Sequence, residues 1–344
     1  MAYKRFTFNE QAFLANYTLF KTRTRSACGA VVKANAYGTG ARRVVHLLQQ
    51  EGCQHYFVAT PREGITIRDL TTANIYVLSG PMNHSAAQQI AEQKLIPVLN
   101  TPDQLKLWES YREFPCAIHV DTGMQRLGFD SNSLDGLDFS SITVCLLMTH
   151  LACADQPYHS QNEVQIAQFE RVKTYFPNTP TSIGNSAAIL NGERFQGDVV
   201  RPGIGLYGGN PFVNQESPVK PVCTLEGQVL QIREVEPNSP VGYSASFITS
   251  TQTRIAVVGI GYADGLSLAL SNNGSVAFRG QRMPIIGKVT MDAIHVDCTQ
   301  VTDLKQGDFV ELFGPTISVD EVAATTNTIA YEVLTQAGNA TVRD

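Results

Sequence analysis

The sequence predicts a (β/α)8 barrel followed by a mostly β second domain, and three observations carry that expectation. Residues 27 to 209 alternate eight short apolar runs with helix-forming stretches. A proline-rich segment then breaks the pattern, and beyond it β-like runs follow one another with turn residues between them. Strands of a parallel sheet, buried on both faces, read as near-continuous apolar runs. Eight βα units in so short a stretch suit a closed barrel better than an open sheet.

The elements follow in order. YKRFTF (3–8) is a strand-like run ahead of a helical NEQAFLANYTLF, placed to pair with the second domain. The barrel runs are ACGAVVKAN (27–35), HYFVAT (55–60), NIYVLSG (74–80), LIPVLN (95–100), CAIHVDTG (116–123), ITVCLLMTH (142–150), TSIGN (181–185) and DVVRPGIG (198–205). Between them lie ARRVVHLLQQEG, HSAAQQIAEQ, PDQLKLWESYR and SQNEVQIAQFERVKTYF, with Thr101 and Pro102 placed as the N-cap and first residue of the third. PFVNQESPVKPV (211–222), with three prolines, reads as a linker. CTLEGQVLQIREV, TRIAVVGIGYADG, SVAFRG, MPIIGKVTMDAIHVDC and GDFVELFG then read as strands, and only 318–337 as helix. The expected domains are 8–215, the barrel, and 216–344 with strand 1–7, the β domain.

Composition narrows the function. Hydrophobic residues make up 43% and charged residues 17%, enough for a real core. Lys plus Arg is 26 against 31 Asp plus Glu, with no basic run, which argues against a nucleic acid or an anionic membrane and for a small-molecule ligand. Seven cysteines, never in C-x-x-C spacing, read as buried free thiols in a reducing compartment. The first residues lack an apolar signal region and no apolar run approaches the ~18 residues of a membrane span, so the expected location is the cytoplasm.

Gly203-Ile-Gly205-Leu-Tyr-Gly208 matches the dinucleotide fingerprint G-x-G-x-x-G, but that motif opens a helix, and Pro211, Pro218 and Pro221 follow here. The glycines read instead as a turn after strand eight, where barrels commonly bind a phosphate. Polar residues end strand after strand: Lys33, Asp121 with Arg126, His150, Asn185 with Ser186, and Arg201. Any one of them is equally what a buried strand meeting solvent shows; together, in a barrel, they converge on one mouth. Lys33 directly follows an apolar run. Burying an ammonium is costly, and condensation with an aldehyde is one way to discharge it. Tyr37, Ser186 and the backbone at Gly203 and Ile204 suit the phosphate of pyridoxal 5′-phosphate. His150, His159 and Cys153 lack a second cluster with zinc spacing, so no metal is expected.

VVKANAYGTG, DTGMQRLGF, THLACAD, GNSAA, VRPGIGLYG, VGYSASF, GYADG and GKVTMDAI, in this order and spacing, closely resemble the bacterial alanine racemases over residues 27 to 334. The resemblance implies that Lys33 binds pyridoxal 5′-phosphate as an imine and acts as one catalytic base. Tyr243, supplied by the partner subunit of a homodimer with shared active sites, would be the opposing base. It further implies that Tyr37, Ser186 and Ile204 contact the phosphate, and that Arg201, with His150 beside it, faces the pyridine nitrogen. Arg126 and the backbone of Met291 would hold the carboxylate of the amino-acid substrate, while Tyr262 and Asp292 would line the way in. Racemisation needs a proton removed from one face of Cα and returned on the other, which two bases explain. The implied activity is interconversion of L- and D-alanine, supplying D-alanine for peptidoglycan. The alternatives are a racemase of broader or different specificity, for serine or basic amino acids, a non-catalytic carrier of the cofactor, and a decarboxylase of similar architecture.

Three positions depart from the family pattern. His119 stands where many members carry a carbamylated lysine that orients the arginine at the position of Arg126, and Ser182 replaces a frequent histidine. The C-terminal YEVLTQAGNATVRD lacks the usual arginine after its glycine. A histidine near its ordinary pKa of ~6.5 is expected to accept one hydrogen bond from Arg126, and to repel it once protonated below about pH 6.

Overall fold

The computed structural model describes residues 3–340; Met1, Ala2 and residues 341–344, parts of the expected strand 1–7 and second domain, lie outside the described residues. All eight barrel runs form strands. Ala30–Val31, His55–Val58, Asn74–Val77, Ile96–Leu99, Pro115–Asp121, Thr143–Met148 and Thr181–Ser182 pair side by side in parallel. The eighth, Val199–Val200, closes the ring. It pairs in parallel with Ala27–Cys28, and its neighbourhood donates back through Asp198 N to Thr181 O and Arg201 N to Gly184 O, both 2.7 Å.

Helices cover the outside. Thr101 caps Pro102–Trp108 by accepting from Gln104 N, as the Thr-Pro pair predicts. A second Thr-Pro pair, not read from the sequence, opens Pro61–Arg68: Thr60 and Glu63 form a reciprocal capping box. A short added strand, Phe129–Asp130, pairs with the end of Pro115–Asp121. After Gly203 comes only a 3-10 turn, Ile204–Tyr207, which confirms that the glycine motif opens no dinucleotide-binding helix.

Past the linker the sheet is antiparallel. Cys223–Val235, Thr253–Val258, Ile294–Asp297, Gln281–Ile286, Ser275–Phe278 and Phe309–Phe313 form a closed circuit, because the last strand pairs back onto the first. Lys4–Phe8 adds to it alongside Cys223–Val235, the pairing expected from YKRFTF. The expected helix over 318–337 is two helices, Val319–Thr325 and Ala330–Ala340, separated at Asn327, whose φ is 54°. No helix among the described residues is long and apolar enough to cross a membrane.

Candidate active site

Strand periodicity explains why the polar residues meet. Phe57, Tyr76, Val98, Ala117, Met148 and Val199, with Val31, fill the barrel lumen as one apolar cluster. Side chains on a strand alternate with period two, so the next lumen layer toward the C-terminal ends holds Lys33, Leu78, Asn100, His119, His150 and Arg201. Apart from Leu78, the change from an apolar to a polar layer within two residues defines the mouth.

Lys33 opens an unusual turn. Ala34, Asn35, Ala36 and Tyr37 all have left-handed φ, 51° to 55°, a conformation that costs an L-residue about 1–2 kcal/mol each. The strain is held by Gly38, whose N–H donates to Ala34 O, by Asn35 Oδ1 accepting from Ala41 N, and by Glu63 Oε1 accepting from Ala34 N at 2.8 Å. Glu63 is thus both the cap of its own helix and a brace for the Lys33 turn. The TPRE capping pattern at 60–63 signals it in the sequence. Burial and the nearby Arg126 push the Lys33 ammonium below its ordinary pKa, with Glu63 opposing. That shift favours a neutral, nucleophilic amine.

A cradle of donors lies beside it. Ser186 Oγ, at the start of the helix Ser186–Asn191, accepts from Gly203 N at 2.8 Å and from Gly205 N at 3.3 Å. A Cβ on Gly203 would lie 2.5 Å from Tyr37 Oη, so only glycine admits that hydroxyl. Tyr37 is buried, stacked on Tyr207 at 4.6 Å, and its ionisation is suppressed by that burial. Asn185 is the N-cap of the short helix, and its side-chain oxygen is spent on Ala188 N. Tyr37 and the Ser186 hydroxyl, set in place by the Gly203–Gly205 turn, therefore fit a phosphate group, and Lys33 fits the aldehyde of pyridoxal 5′-phosphate.

Arg201 is buried without a carboxylate partner. Its guanidinium donates to Ser182 Oγ, to the Thr149 carbonyl at 2.8 Å, to the Ile183 carbonyl at 3.3 Å and to His150 Nδ1 at 3.2 Å. Ser182 thus makes a working contact in place of the histidine it replaces. Burial, then Arg126, lowers the Arg201 pKa to about 9, so it is still a cation and pure donor at neutral pH. His150 is held neutral by burial and by Arg201, well below its ordinary pKa. Since Arg201 donates to Nδ1, the His150 hydrogen sits on Nε2.

His119 corrects the sequence-based expectation. Its Nδ1 lies 3.0 Å from Asn100 Oδ1, and Asn100 Nδ2 is spent on the carbonyls of Val98 and Leu78, so Nδ1 carries the hydrogen and Nε2 keeps a lone pair. Burial first, then Arg201 and Arg126, lower its pKa to about 3. The ring is therefore neutral at pH 6, and the expected protonation there does not occur. Nor is the expected bond made: among the described residues the Arg126 guanidinium has no hydrogen-bond or ion-pair partner. The Arg126 loop is shaped by Asp121, which accepts from the backbone N–H groups of Gly123, Met124 and Arg126. Burial works against the Asp121 charge, but these bonds hold its pKa below the usual range. Asn100, Asp121 and Glu63 are the supporting residues that sequence reasoning missed or left without a role.

The remaining predicted residues lie elsewhere. Tyr243, Tyr262, Met291 and Asp292 sit on exposed turns of the sheet domain, and no hydrogen bond, ion pair or ring contact joins them to Lys33 or Arg126 within the chain. Tyr262 N donates to Thr290 O and Ala263 N to Met291 O, both at 3.0 Å, so the turns bearing Tyr262, Met291 and Asp292 form one unit. Tyr243 lies in a loop where Gly242, Ser244 and Ala245 all have positive φ, with Lys288 Nζ donating to Ser244 Oγ at 3.1 Å.

Two family models match the chain: the alanine racemase N-terminal domain over residues 8–211 and the alanine racemase C-terminal domain over 222–344. The chain belongs to the alanine racemase family. An alanine racemase of Rhodospirillum rubrum is 40% identical, covering 96% of this chain and 93% of that protein. A catabolic alanine racemase of Agrobacterium fabrum is 39% identical, covering 94% and 87%. The fold is that of the crystal structure of alanine racemase from Bartonella henselae with covalently bound pyridoxal phosphate, with a TM-score of 0.93, 38% identity, and coverage of 99% of this chain and 98% of that one. The family resemblance read from eight motifs therefore holds at the level of the whole chain.

Proposed function

We propose that this chain interconverts L- and D-alanine with pyridoxal 5′-phosphate held on Lys33, in the cytoplasm, and that it supplies D-alanine for peptidoglycan. The observation that carries the reading is the mouth itself: a lysine with a depressed pKa beside a preformed phosphate cradle, in a chain of this family. Tyr37, Ser186, Asn185, Gly203 and Ile204 hold the phosphate end. Arg201, fixed by Ser182, Thr149 and His150, donates to the ring nitrogen and keeps it unprotonated. Bound there, the cofactor acidifies the Cα–H of an amino acid joined to it.

The chain's own residues then move the proton. Lys33 Nζ takes or gives it on one face, and Tyr243 Oη does so on the other. Arg126, whose guanidinium is uncommitted, pairs with the substrate carboxylate together with the Met291 backbone, and Tyr262 and Asp292 line the approach. Tyr243, Tyr262, Met291 and Asp292 would reach the mouth of a second copy, so the working unit of this reading is a homodimer with shared sites. The division at residue 216, inside the 211–222 linker, with residues 216–344 and the first strand serving the partner's site, belongs to the same reading. A non-catalytic carrier would leave the second domain and Tyr243 without a use.

Incubated with cofactor, the purified protein should form D-alanine from L-alanine faster than it racemises any of the other L-amino acids. Borohydride should fix the cofactor to Lys33. A reduced adduct on any other lysine would sink the assignment, and a faster rate with serine or a basic amino acid would move the specificity.

A further inference from the structure

Two turns that carry candidate site groups end in a left-handed glycine, and each of these glycines faces the last helix, Ala330–Ala340. Gly38 ends the Lys33–Tyr37 turn, and a Cβ there would lie 2.8 Å from Leu334 O and 2.9 Å from Gly338 Cα. Gly265 ends the Tyr262–Asp264 turn, and a Cβ there would lie 2.7 Å from the Gln336 carbonyl. The Ile204–Tyr207 turn ends instead in Gly208, which faces Val222 and Lys220; only the next residue, Gly209, lies near the helix, where a Cβ would meet the Ile204 side chain at 2.6 Å and Ala330 Cβ at 3.1 Å. The contact at Gly38 is reciprocal, because a Cβ on Gly338 would overlap the Gly38 carbonyl and Cα.

Two further links tie the same helix down. The Tyr331 ring lies 5.9 Å from the Tyr37 ring. Lys4 Nζ donates to Ala340 O and to Asp264 Oδ1, both at 2.9 Å, joining the end of the helix to the Tyr262–Asp264 turn.

A run of four left-handed residues persists only where its surroundings over-determine it. The hydrogen bonds described above shape the Lys33–Tyr37 turn internally, but they do not set where it stands in the molecule. The backbone-to-backbone seat at Gly38 and Gly338 does. We infer that the helix Ala330–Ala340 is the seat that sets the cofactor turn against the Tyr262–Asp264 turn, and that Gly338 is a positioning residue for Lys33 and Tyr37. The inference rests on the reading that Lys33 and Tyr37 hold the cofactor. In the shared-site dimer the two turns serve different active sites, so one helix registers a residue set in each.

The test is Gly338→Ala in the full chain, read by equilibrium dialysis of pyridoxal 5′-phosphate and by the thermal midpoint of the cofactor-free protein. Intrinsic helix propensity favours alanine, so any loss must come from the contact. The seat predicts that the cofactor Kd rises about tenfold or more, the scale of strain in one displaced left-handed residue, while the midpoint stays within a few degrees. A Kd within about twofold of wild type overturns the proposal, as does a lower midpoint with unchanged Kd, the pattern of a purely structural glycine. If Gly338→Ala does not fold, Tyr331→Leu decides, with about a threefold rise in Kd expected from the lost ring contact and no rise contradicting the seat. Lys33→Ala serves as the control. If it keeps cofactor at wild-type affinity, the cofactor assignment has failed and the inference falls with it; if it loses cofactor while Gly338→Ala does not, the seat alone is wrong.

Discussion

At the barrel mouth, Arg201 and His119 are buried and held by hydrogen bonds, Arg201 to Ser182, Thr149, Ile183 and His150, and His119 to Asn100. In the sheet domain, Tyr243, Met291 and Tyr262 stand 71%, 54% and 44% exposed, and among the described residues no hydrogen bond, ion pair or ring contact joins them to Lys33 or Arg126. In the first region the left-handed turn at Ala34–Tyr37, the Ser186–Gly203 contact and the buried imidazoles are all set within one chain. The second has the residue types of an active site without a substrate to face. Under the proposed function, the difference assigns cofactor binding to the single chain and proton transfer to the pair.

The sharpest way to break that division is Tyr243→Phe. Removing one hydroxyl from the region that does not bind cofactor should lower racemisation by about 10²–10⁴-fold, the usual worth of a positioned acid or base, while cofactor Kd stays at its wild-type value. Loss of cofactor in this variant would merge the two regions.

A smaller effect concerns the buried histidines of the mouth. His119 titrates near pH 3 in the folded chain, and His150 is also lowered, against an ordinary value of ~6.5. At pH 7 both are neutral, folded or unfolded. Below about pH 6.5 the unfolded chain takes up protons that the folded chain refuses, so stability falls with pH by about 1.4 kcal/mol per unit for each ring until the folded pKa is reached. Denaturant midpoints measured from pH 7 to pH 5 should show this slope, and His119→Gln should remove its share. A flat profile would mean that the mouth is wetter than its geometry indicates.

The smallest expected effect is none at all. With His119 where a carbamylated lysine is found in many members, activity should be the same in bicarbonate-free and bicarbonate-containing buffer. A drop that bicarbonate restores would place a carbamate somewhere else in the site.

The fold was legible because its signals are periodic. Eight apolar runs and their capped helices follow from burial on both faces, and YKRFTF announced its pairing by alternation. The site was legible as a set of strand ends, since period two in a barrel puts Lys33, His150 and Arg201 in one layer, a layer that His119 joins. What could not be read was conformation that no side chain announces. Ala34 to Tyr37 adopt left-handed backbone with no glycine or asparagine run to signal it, because the cost is met by contacts from Glu63 and the last helix, far away in the chain. The His119 error has a related cause. A reference pKa of ~6.5 assumes water, and only the fold shows the ring shut in with Asn100 on one side and two arginines nearby.

The claim that the two regions complete each other across subunits is tested most directly by a purified heterodimer of one Lys33→Ala chain and one Tyr243→Ala chain. Each homodimer lacks an essential group at both sites. In the heterodimer, one site would combine an intact Lys33 with the partner's intact tyrosine, so about half of the wild-type dimer's activity should return. A verified heterodimer as inactive as either parent would contradict the account.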